Sequence, residues 1–399
     1  METTFDTVWS KSKILVKGII IFFLVLLLLI PTFYVQNLIE EREARQKEAI
    51  AEVSSKWAGR QTVAGPFIVL PYWQTEGDST SRLTRVKHYA YFLPDDLQVR
   101  ATVTPQEKHR GIYKVMLYNS RIHMAGTFRE VASERLNIPV ENILWDEASV
   151  KLSLSDTKGL NEELKIRWKD TTLALAPQTA NDPMAPEALS APLPVSSLEE
   201  LKNVSFSSAI DLNGSEQLLF TPVGKSTTVQ LQSAWPHPSF TGDILPQTTR
   251  VQDSGFKATW KSLSHKRSFP QQWKDNAYMI AGAPGRNAVA AGNNINHGAF
   301  GADLFVPVSG YQKTMRSVKY AILCILLTFA AFFLIETTHK RSVHPVQYGL
   351  IGLALVLFYT LLLSFSEYIG FNLSYLIASV ATIGLITWFV KDILASGRL

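Results

Sequence analysis

A base, a nucleophile and an acid stand close together in the segment Trp235-Pro-His-Pro-Ser-Phe-Thr-Gly-Asp243. By type, His237, Ser239 and Asp243 could form a hydrolytic triad, provided hydrogen bonds join them in space. Two prolines around His237 hold the backbone extended, and no G-x-S-x-G elbow surrounds Ser239. The stronger reading is a rigid turn whose Trp235 and Phe240 plug a core. A second reading is a partner-contact loop, with Trp235, His237, Pro238, Phe240 and Asp243 as candidate contact residues. The competing reading is an enzyme or ligand-handling domain that uses this segment.

Other chemistry-bearing residues are less suggestive. Gly224-Lys225-Ser226-Thr227 resembles the end of a phosphate-binding loop, but Leu219 stands where the cradle needs a glycine. Glu336 and Glu367 flank apolar runs, and a carboxylate at depth in a bilayer would suggest proton or ion coupling by a small transporter. Both fall at the ends of their runs, and Glu336 has His339 and Lys340 three and four residues on. Interfacial placement with local pairing is therefore expected. No run carries a charge at its middle, which argues against a channel or transporter. Gly349-x-x-Gly352 lacks the wider spacing of the G-x-x-x-G helix-packing motif, so it names no interface. The single cysteine, Cys324, can form no intramolecular disulfide, and neither a metal cluster nor a cofactor is expected. The net charge of +5 is spread along the chain without an aromatic-interleaved basic stripe, which leaves nucleic-acid binding without support.

The elements that would position these residues divide into apolar blocks and a long polar middle. Runs of about 18 or more apolar residues can cross the hydrocarbon core as helices. Residues 18–39, 346–366 and 371–390 satisfy this. The run 320–335 is marginal and spans only if Lys319 and Glu336 reach the interfaces. The first run follows Lys11, Lys13 and Lys17 but is too long for a secretory signal and lacks a small-x-small cleavage pattern, so an uncleaved anchor kinked at Pro31 is expected. Residues 40–57 continue it as a charged helical stalk, with Glu41/Arg45 and Glu43/Lys47 at i,i+4.

From residue 59 to about 309, short alternating runs are broken by Gly, Pro, Asn and Asp. This texture predicts an antiparallel sandwich. Strands are expected at 67–70, 86–93, 97–103, 112–118, 150–154, 164–168, 226–231 and 256–260. Short helices are expected at 127–136 and 197–203, the latter with a capping box between Ser197 and Glu200. The Pro/Ala-rich stretch 177–194 reads as a linker that divides the sandwich into two layers or subdomains. The stretch 282–301 reads as a second long loop.

Lys/Arg counts in short loops set orientation, whereas long domains translocate largely regardless of charge. Lys340/Arg341 and the tail with Lys391 and Arg398 are basic, and residues 367–372 contain neither Lys nor Arg. The expected order is a cytoplasmic start (1–17), anchor (18–39), stalk (40–58), extracytoplasmic β-rich domain (59–318), span (319–336), cytoplasmic loop (337–345), span (346–366), short outer loop (367–370), span (371–390) and cytoplasmic tail (391–399). The fold class is thus a membrane protein with four transmembrane helices and a large mainly-β, sandwich-like domain.

Several segments, in order, resemble the CreD family of bacterial inner-membrane, cell-envelope-integrity proteins. They are Gly65-Pro-Phe-Ile-Val-Leu-Pro-Tyr72, Arg110-Gly-Ile-Tyr113, Trp235-Pro-His-Pro-Ser-Phe-Thr-Gly-Asp243, Ser254-Gly-Phe-Lys-Ala-Thr-Trp260, Tyr311-Gln312, the long apolar match over 319–336, and His344-Pro-Val-Gln-Tyr348. The resemblance covers nearly the whole chain. It implies a protein of a Gram-negative inner membrane, which makes the extracytoplasmic domain periplasmic, with expression tied to envelope stress, the β-lactam response and colicin tolerance. The resemblance brings no catalytic residues with it; the sided architecture and the lack of a competent active-site motif lead to the expectation of a non-enzymatic protein in contact with the lipid bilayer and with an envelope or membrane protein partner. Similar members carry further apolar segments beyond the counterpart of 371–390, so this chain is read as a shortened or truncated member.

Overall fold

The apolar run that begins at Gln61 builds the centre of the larger part of the chain. In the computed structural model, which describes residues 2–77, 83–177, 188–280, 294–304, 310–339 and 344–396, Gln61–Gly77 is one long strand, almost wholly buried from Gln61 to Tyr72. A strand covered on both faces reads as a continuous apolar run rather than an alternation. At Gly65 the backbone takes φ +129°, and the register slips between Ala64 and Phe67. This bulge lets one strand serve two sets of neighbours. Its first part pairs with Gln217–Phe220, its middle with Ser149–Leu154, and its far half with Leu83–Phe92.

Among the described residues these strands belong to a nine-stranded sheet. Its path runs Pro238–Gly242, Phe300–Leu304, Gln217–Phe220, Gln61–Gly77, Ser149–Leu154, Ala188–Pro192 and Ala176–Pro177, with Leu83–Phe92 and Gln272–Lys274 joined to the side. An eight-stranded sheet runs Thr248–Gln252, Gly255–Leu263, Ser226–Ser233, Asp96–Arg110, Tyr113–Phe128, Val204–Ser215, Lys165–Trp168 and Thr171–Ala174. Its strands alternate buried and exposed residues, as at Asp96–Arg110 and Val204–Ser215, so one face packs and the other meets solvent. A single core takes Phe67, Tyr91 and Phe300 from the first sheet and Phe128, Trp168 and Trp260 from the second. The architecture is the expected two-sheet sandwich, mostly antiparallel, with two parallel pairings: Gln61–Gly77 with Gln217–Phe220, and Asp96–Arg110 with Ser226–Ser233.

All eight expected strands are present. The division near 177–194 is not: both sheets recruit strands from before and after that stretch, and Ala188–Pro192 is itself a strand on Ser149–Leu154. Residues 178–187 of that linker, 281–293 of the second loop and 340–343 of the basic turn lie outside the described residues; Phe300 and Gly301 of the second loop are strand. The expected helices 127–136 and 197–203 shrink to single 3-10 turns, Ser133–Leu136 and Glu199–Leu201. Glu200 is clasped one residue earlier than expected, by the backbone N–H (2.9 Å) and hydroxyl (3.1 Å) of Ser196.

The chain separates into two units. The β unit comprises Ile50–Arg110 and Lys114–Val306, and the helical unit Met1–Ala49, Gly111–Tyr113 and Pro307–Leu399. Helix α1 (Glu2–Trp57) contains Pro31 and carries the expected i,i+4 pairs Arg45–Glu41 (2.6 Å) and Lys47–Glu43 (3.0 Å). The stretch 310–319, inside the segment expected to be β-rich, is helix α2 (Gly310–Lys319), and it buries Tyr311, Thr314 and Val318 at i, i+3 and i+7. Helices α3 (Ala321–His339), α4 (Pro345–Ile369) and α5 (Phe371–Ser396) follow. Among the described residues four helices are long and apolar enough to cross a membrane, within Leu15–Trp57, Ala321–Thr338, Pro345–Ile369 and Phe371–Lys391.

Candidate functional site

The Trp235–Asp243 segment does not assemble a triad. Pro238–Gly242 is the edge strand of the nine-stranded sheet, paired to Phe300–Leu304, so Ser239 is held opposite Asp303 and not beside His237. The His237 ring lies edge-on to Trp235, 6.2 Å between centroids, and the His237 carbonyl accepts the Trp235 indole N–H at 3.0 Å. Among the described hydrogen bonds none links the side chains of His237, Ser239 and Asp243. Trp235 and Phe240 pack on the core, and Phe240 meets Phe256 and Trp260 edge-to-face at 5.7 Å each. His237, Ser239 and Asp243 remain exposed. The segment is thus a core plug with a polar outer surface. Pro238 withholds an N–H from the sheet edge, which discourages strand addition there.

Gly224-Lys225-Ser226-Thr227 spends its amides on other groups. Gly224 N–H donates to Thr227 Oγ1 (3.0 Å), and Lys225 and Ser226 donate to the carbonyls of Pro94 (2.9 Å) and Asp95 (2.8 Å). No cradle of free N–H groups forms there.

One polar cluster escapes the sequence reading. Tyr72 and His88 face each other across adjacent strands, with ring centroids 5.7 Å apart. Asp275, in the left-handed region at φ 49°, brings its carboxylate to His88 Nδ1 at 2.9 Å and accepts the Tyr89 N–H at 3.0 Å. On the other side of the ring, Glu76 Oε1 lies 3.0 Å from Nε2. Burial first, and then the Asp275 charge, push the Tyr72 phenol well above its ordinary range. The two carboxylates lie at opposite nitrogens of one ring, so the group does not converge on a metal. It fastens Gln272–Lys274 to Leu83–Phe92, where Trp273 stacks on Tyr91 at 5.4 Å. Nothing in the sequence brings residue 275 to residue 88.

In the helical unit the two carboxylates find distant partners. Glu336 on α3 makes an ion pair with Lys17 of α1 and accepts the Tyr348 hydroxyl of α4 at 2.9 Å. Glu367 near the end of α4 accepts the Tyr311 hydroxyl of α2 at 3.0 Å and has the Arg42 guanidinium of α1 at 3.9 Å. Glu336 thus pairs across three helices, beyond the local pairing expected from the sequence; Lys340 of that local pairing lies outside the described residues. Twenty-five residues of α1 separate Lys17 from Arg42, about 37 Å at 1.5 Å per residue, enough to bracket a hydrocarbon core of about 30 Å. Between them Leu28 of α1 is seated on Gly352 of α4, where an added Cβ would stand 2.2 Å from Leu28 Cδ1 and 2.9 Å from Phe329 Cζ. Gly352 is therefore a helix interface, one that its spacing did not name. The criterion failed because one glycine suffices when the knob comes from the other helix.

Four apolar helices with polar latches at both ends, carrying a large two-sheet β unit, define a multi-pass membrane protein with a mainly-β domain. Residues 13–399 match the family model described as inner membrane protein CreD. The chain is 32% identical over 378 residues to the inner membrane protein CreD of Escherichia coli strain K12, covering 93% of this chain and 79% of that protein. The chain belongs to the CreD family of inner membrane proteins. Among solved structures, a two-domain M1 zinc metallopeptidase bound to L-arginine is 11% identical with a TM-score of 0.21, and one from Deinococcus radiodurans bound to a peptide substrate is 10% identical with a TM-score of 0.20. Each likeness covers 43% of this chain and 39% of the other, and at such scores neither carries an argument.

Proposed function

We propose that this protein supports cell-envelope integrity, in the envelope-stress and β-lactam response, through a β unit that lies in the periplasm and acts by contact with an envelope or membrane protein. The observation that carries the reading is the pair of latches. Lys17 and Glu336 share one end of the helical unit, and Arg42 and Glu367 share the other. This supports α1, α3 and α4 as alternating full crossings. The Lys/Arg bias then favours a cytoplasmic end at Lys17 and Glu336, because the α3–α4 turn carries Lys340 and Arg341 while 367–372 carries neither residue type. The chain leaves α1 for the β unit beyond Arg42, on the opposite side.

Contact is preferred to catalysis because His237, Ser239 and Asp243 stand apart, on a rigid exposed edge, with the polar surface a partner could meet. Glu336 and Glu367 act as structural latches, not as steps of a transport path. The test is crosslinking in intact cells from His237 or Asp243 positions, combined with deletion of the gene. The reading predicts a captured envelope or membrane protein and altered β-lactam sensitivity. Unchanged sensitivity with no partner captured would overturn it. Loss of the phenotype in a normally accumulating H237A/S239A variant that retains its crosslink would instead favour a ligand-handling site.

A further inference from the structure

The solvent face of the eight-stranded sheet is strongly cationic, and we infer that it binds a linear anionic polysaccharide. Two open hollows of about 450 Å³ each lie on this sheet. The first is lined by Arg100, His123, Lys165 and Arg167, with Gln98 and Ser207 between them. The second is lined by Arg250 and Lys257, with Thr102 and Gln232. Among the described residues no carboxylate lines either hollow.

The register shows that both belong to one face. Gln98, Arg100 and Thr102 alternate outward along one strand, opposite Thr228, Gln230 and Gln232, and the row continues through Lys257 to Arg250. On the other side, Arg167 stands opposite Ser207, while Lys165 and His123 both stand opposite Ala209. Four inter-strand steps separate Val204–Ser215 from Gly255–Leu263, roughly 19 Å at about 4.8 Å each. One small anion cannot bridge that distance; a chain with repeated charges can.

Two acids near the first hollow are already engaged, while Asp253 sits exposed at the rim of the second. Asp211 accepts from Asn119 (2.5 Å) and Asn161 (2.6 Å) and has Arg121 at 4.0 Å, and Glu163 lies 3.1 Å from Lys165. Arg100 and Arg167 have no ion pair among the described residues, so their planar forks stay available for bidentate binding of carboxylates or phosphates. The amides and hydroxyls of Gln98, Ser207, Thr102 and Gln232 suit sugar hydroxyls. Apart from the single His123 imidazole, the hollows expose no aromatic side chain, so no row of rings offers a stacking platform for successive nucleic-acid bases. They expose no large apolar side chain for insertion into a lipid surface either. This inference goes beyond the envelope reading, and its binding chemistry does not depend on which side of the membrane the β unit occupies.

The test uses the full chain purified in a neutral detergent, with polygalacturonate as the probe. Neutral dextran, monomeric galacturonate, inorganic phosphate and anionic phospholipid vesicles are the comparison arms. Binding to polygalacturonate should be saturable and should be lost at about 1 M salt, where the screening length is roughly 3 Å. The exposed double variant R100Q/R167Q should bind tenfold or more weakly with an unchanged melting temperature. The variant R250Q/K257Q should weaken binding of long chains while sparing oligomers short enough to fill one hollow. Equal binding of dextran, unchanged affinity in R100Q/R167Q, or binding to vesicles without binding to the polymer would each overturn the inference.

Discussion

The two units solve the same problem in opposite ways. In the β unit the two sheets hide large apolar side chains such as Trp260 and Phe300, and most charged residues lie outward, although Lys151 is buried. In the helical unit Leu27, Leu327 and Trp388 are more than 60% exposed, while Glu336 and Glu367 are turned inward onto Lys17, Tyr348, Arg42 and Tyr311. Lipid is as apolar as leucine, so burial of apolar surface does little to hold membrane helices together, and close fit and polar contacts take over. Leu28 on Gly352 supplies the fit, and the two carboxylates supply the polar contacts.

That contrast can be broken selectively. The largest effect is expected in the β unit. Trp260→Ala removes a fully buried indole that stacks on Phe300 at 5.8 Å and donates to the Ile244 carbonyl at 3.1 Å. It should cost about 3–5 kcal/mol, read as earlier loss of β-sheet signal on heating, while membrane insertion is retained. In the helical unit, Lys17→Met removes the α1 cation from the inward-facing Glu336 carboxylate and should cost roughly 3 kcal/mol, read by detergent-denaturation of helicity. The double variant K17M/E336Q should recover much of that loss, and equal losses in single and double variants would refute the latch.

Gly352→Leu should cost about 1–3 kcal/mol by overpacking against Leu28, and Leu28→Ala should partly rescue it. The smallest effect concerns Asp303. Burial, opposed by the Gln217 amide at 2.7 Å, holds its carboxyl above the usual range. The folded state therefore binds that proton more tightly than the unfolded chain does, and stability falls as pH rises through the carboxylate range. Asp303→Asn should raise the melting temperature slightly at neutral pH and leave it unchanged at low pH.

The same contrast decides what was legible in the sequence. Strands that alternate, such as Asp96–Arg110 and Ser226–Ser233, announce their buried face residue by residue, and the apolar helices announce themselves by length. Pairings between distant residues do not. Lys17 with Glu336, Arg42 with Glu367, and His88 with Asp275 depend on which elements come together, and no local pattern records that. The parallel pairing of Asp96–Arg110 with Ser226–Ser233 is equally silent, because a parallel partner needs a long crossover and leaves no turn signal. Helix α2 was the avoidable miss: Tyr311, Thr314 and Val318 carry a helical period in a stretch of otherwise polar residues. The outer sheet face was invisible for a similar reason. Arg100, Lys165 and Lys257 are unremarkable along the chain and become a patch only when the strands are laid side by side.

Sidedness is the claim on which the functional reading rests, and Cys324 is the sole cysteine in the chain. In a Cys324→Ser background, single cysteines at exposed Lys158 of the β unit and at exposed His344 before α4 can be probed with a membrane-impermeant maleimide. In cells whose outer membrane alone is permeabilised, Lys158→Cys should be labelled and His344→Cys should react only after the inner membrane is opened. Labelling of His344→Cys with protection of Lys158→Cys, or labelling of both, would contradict the account.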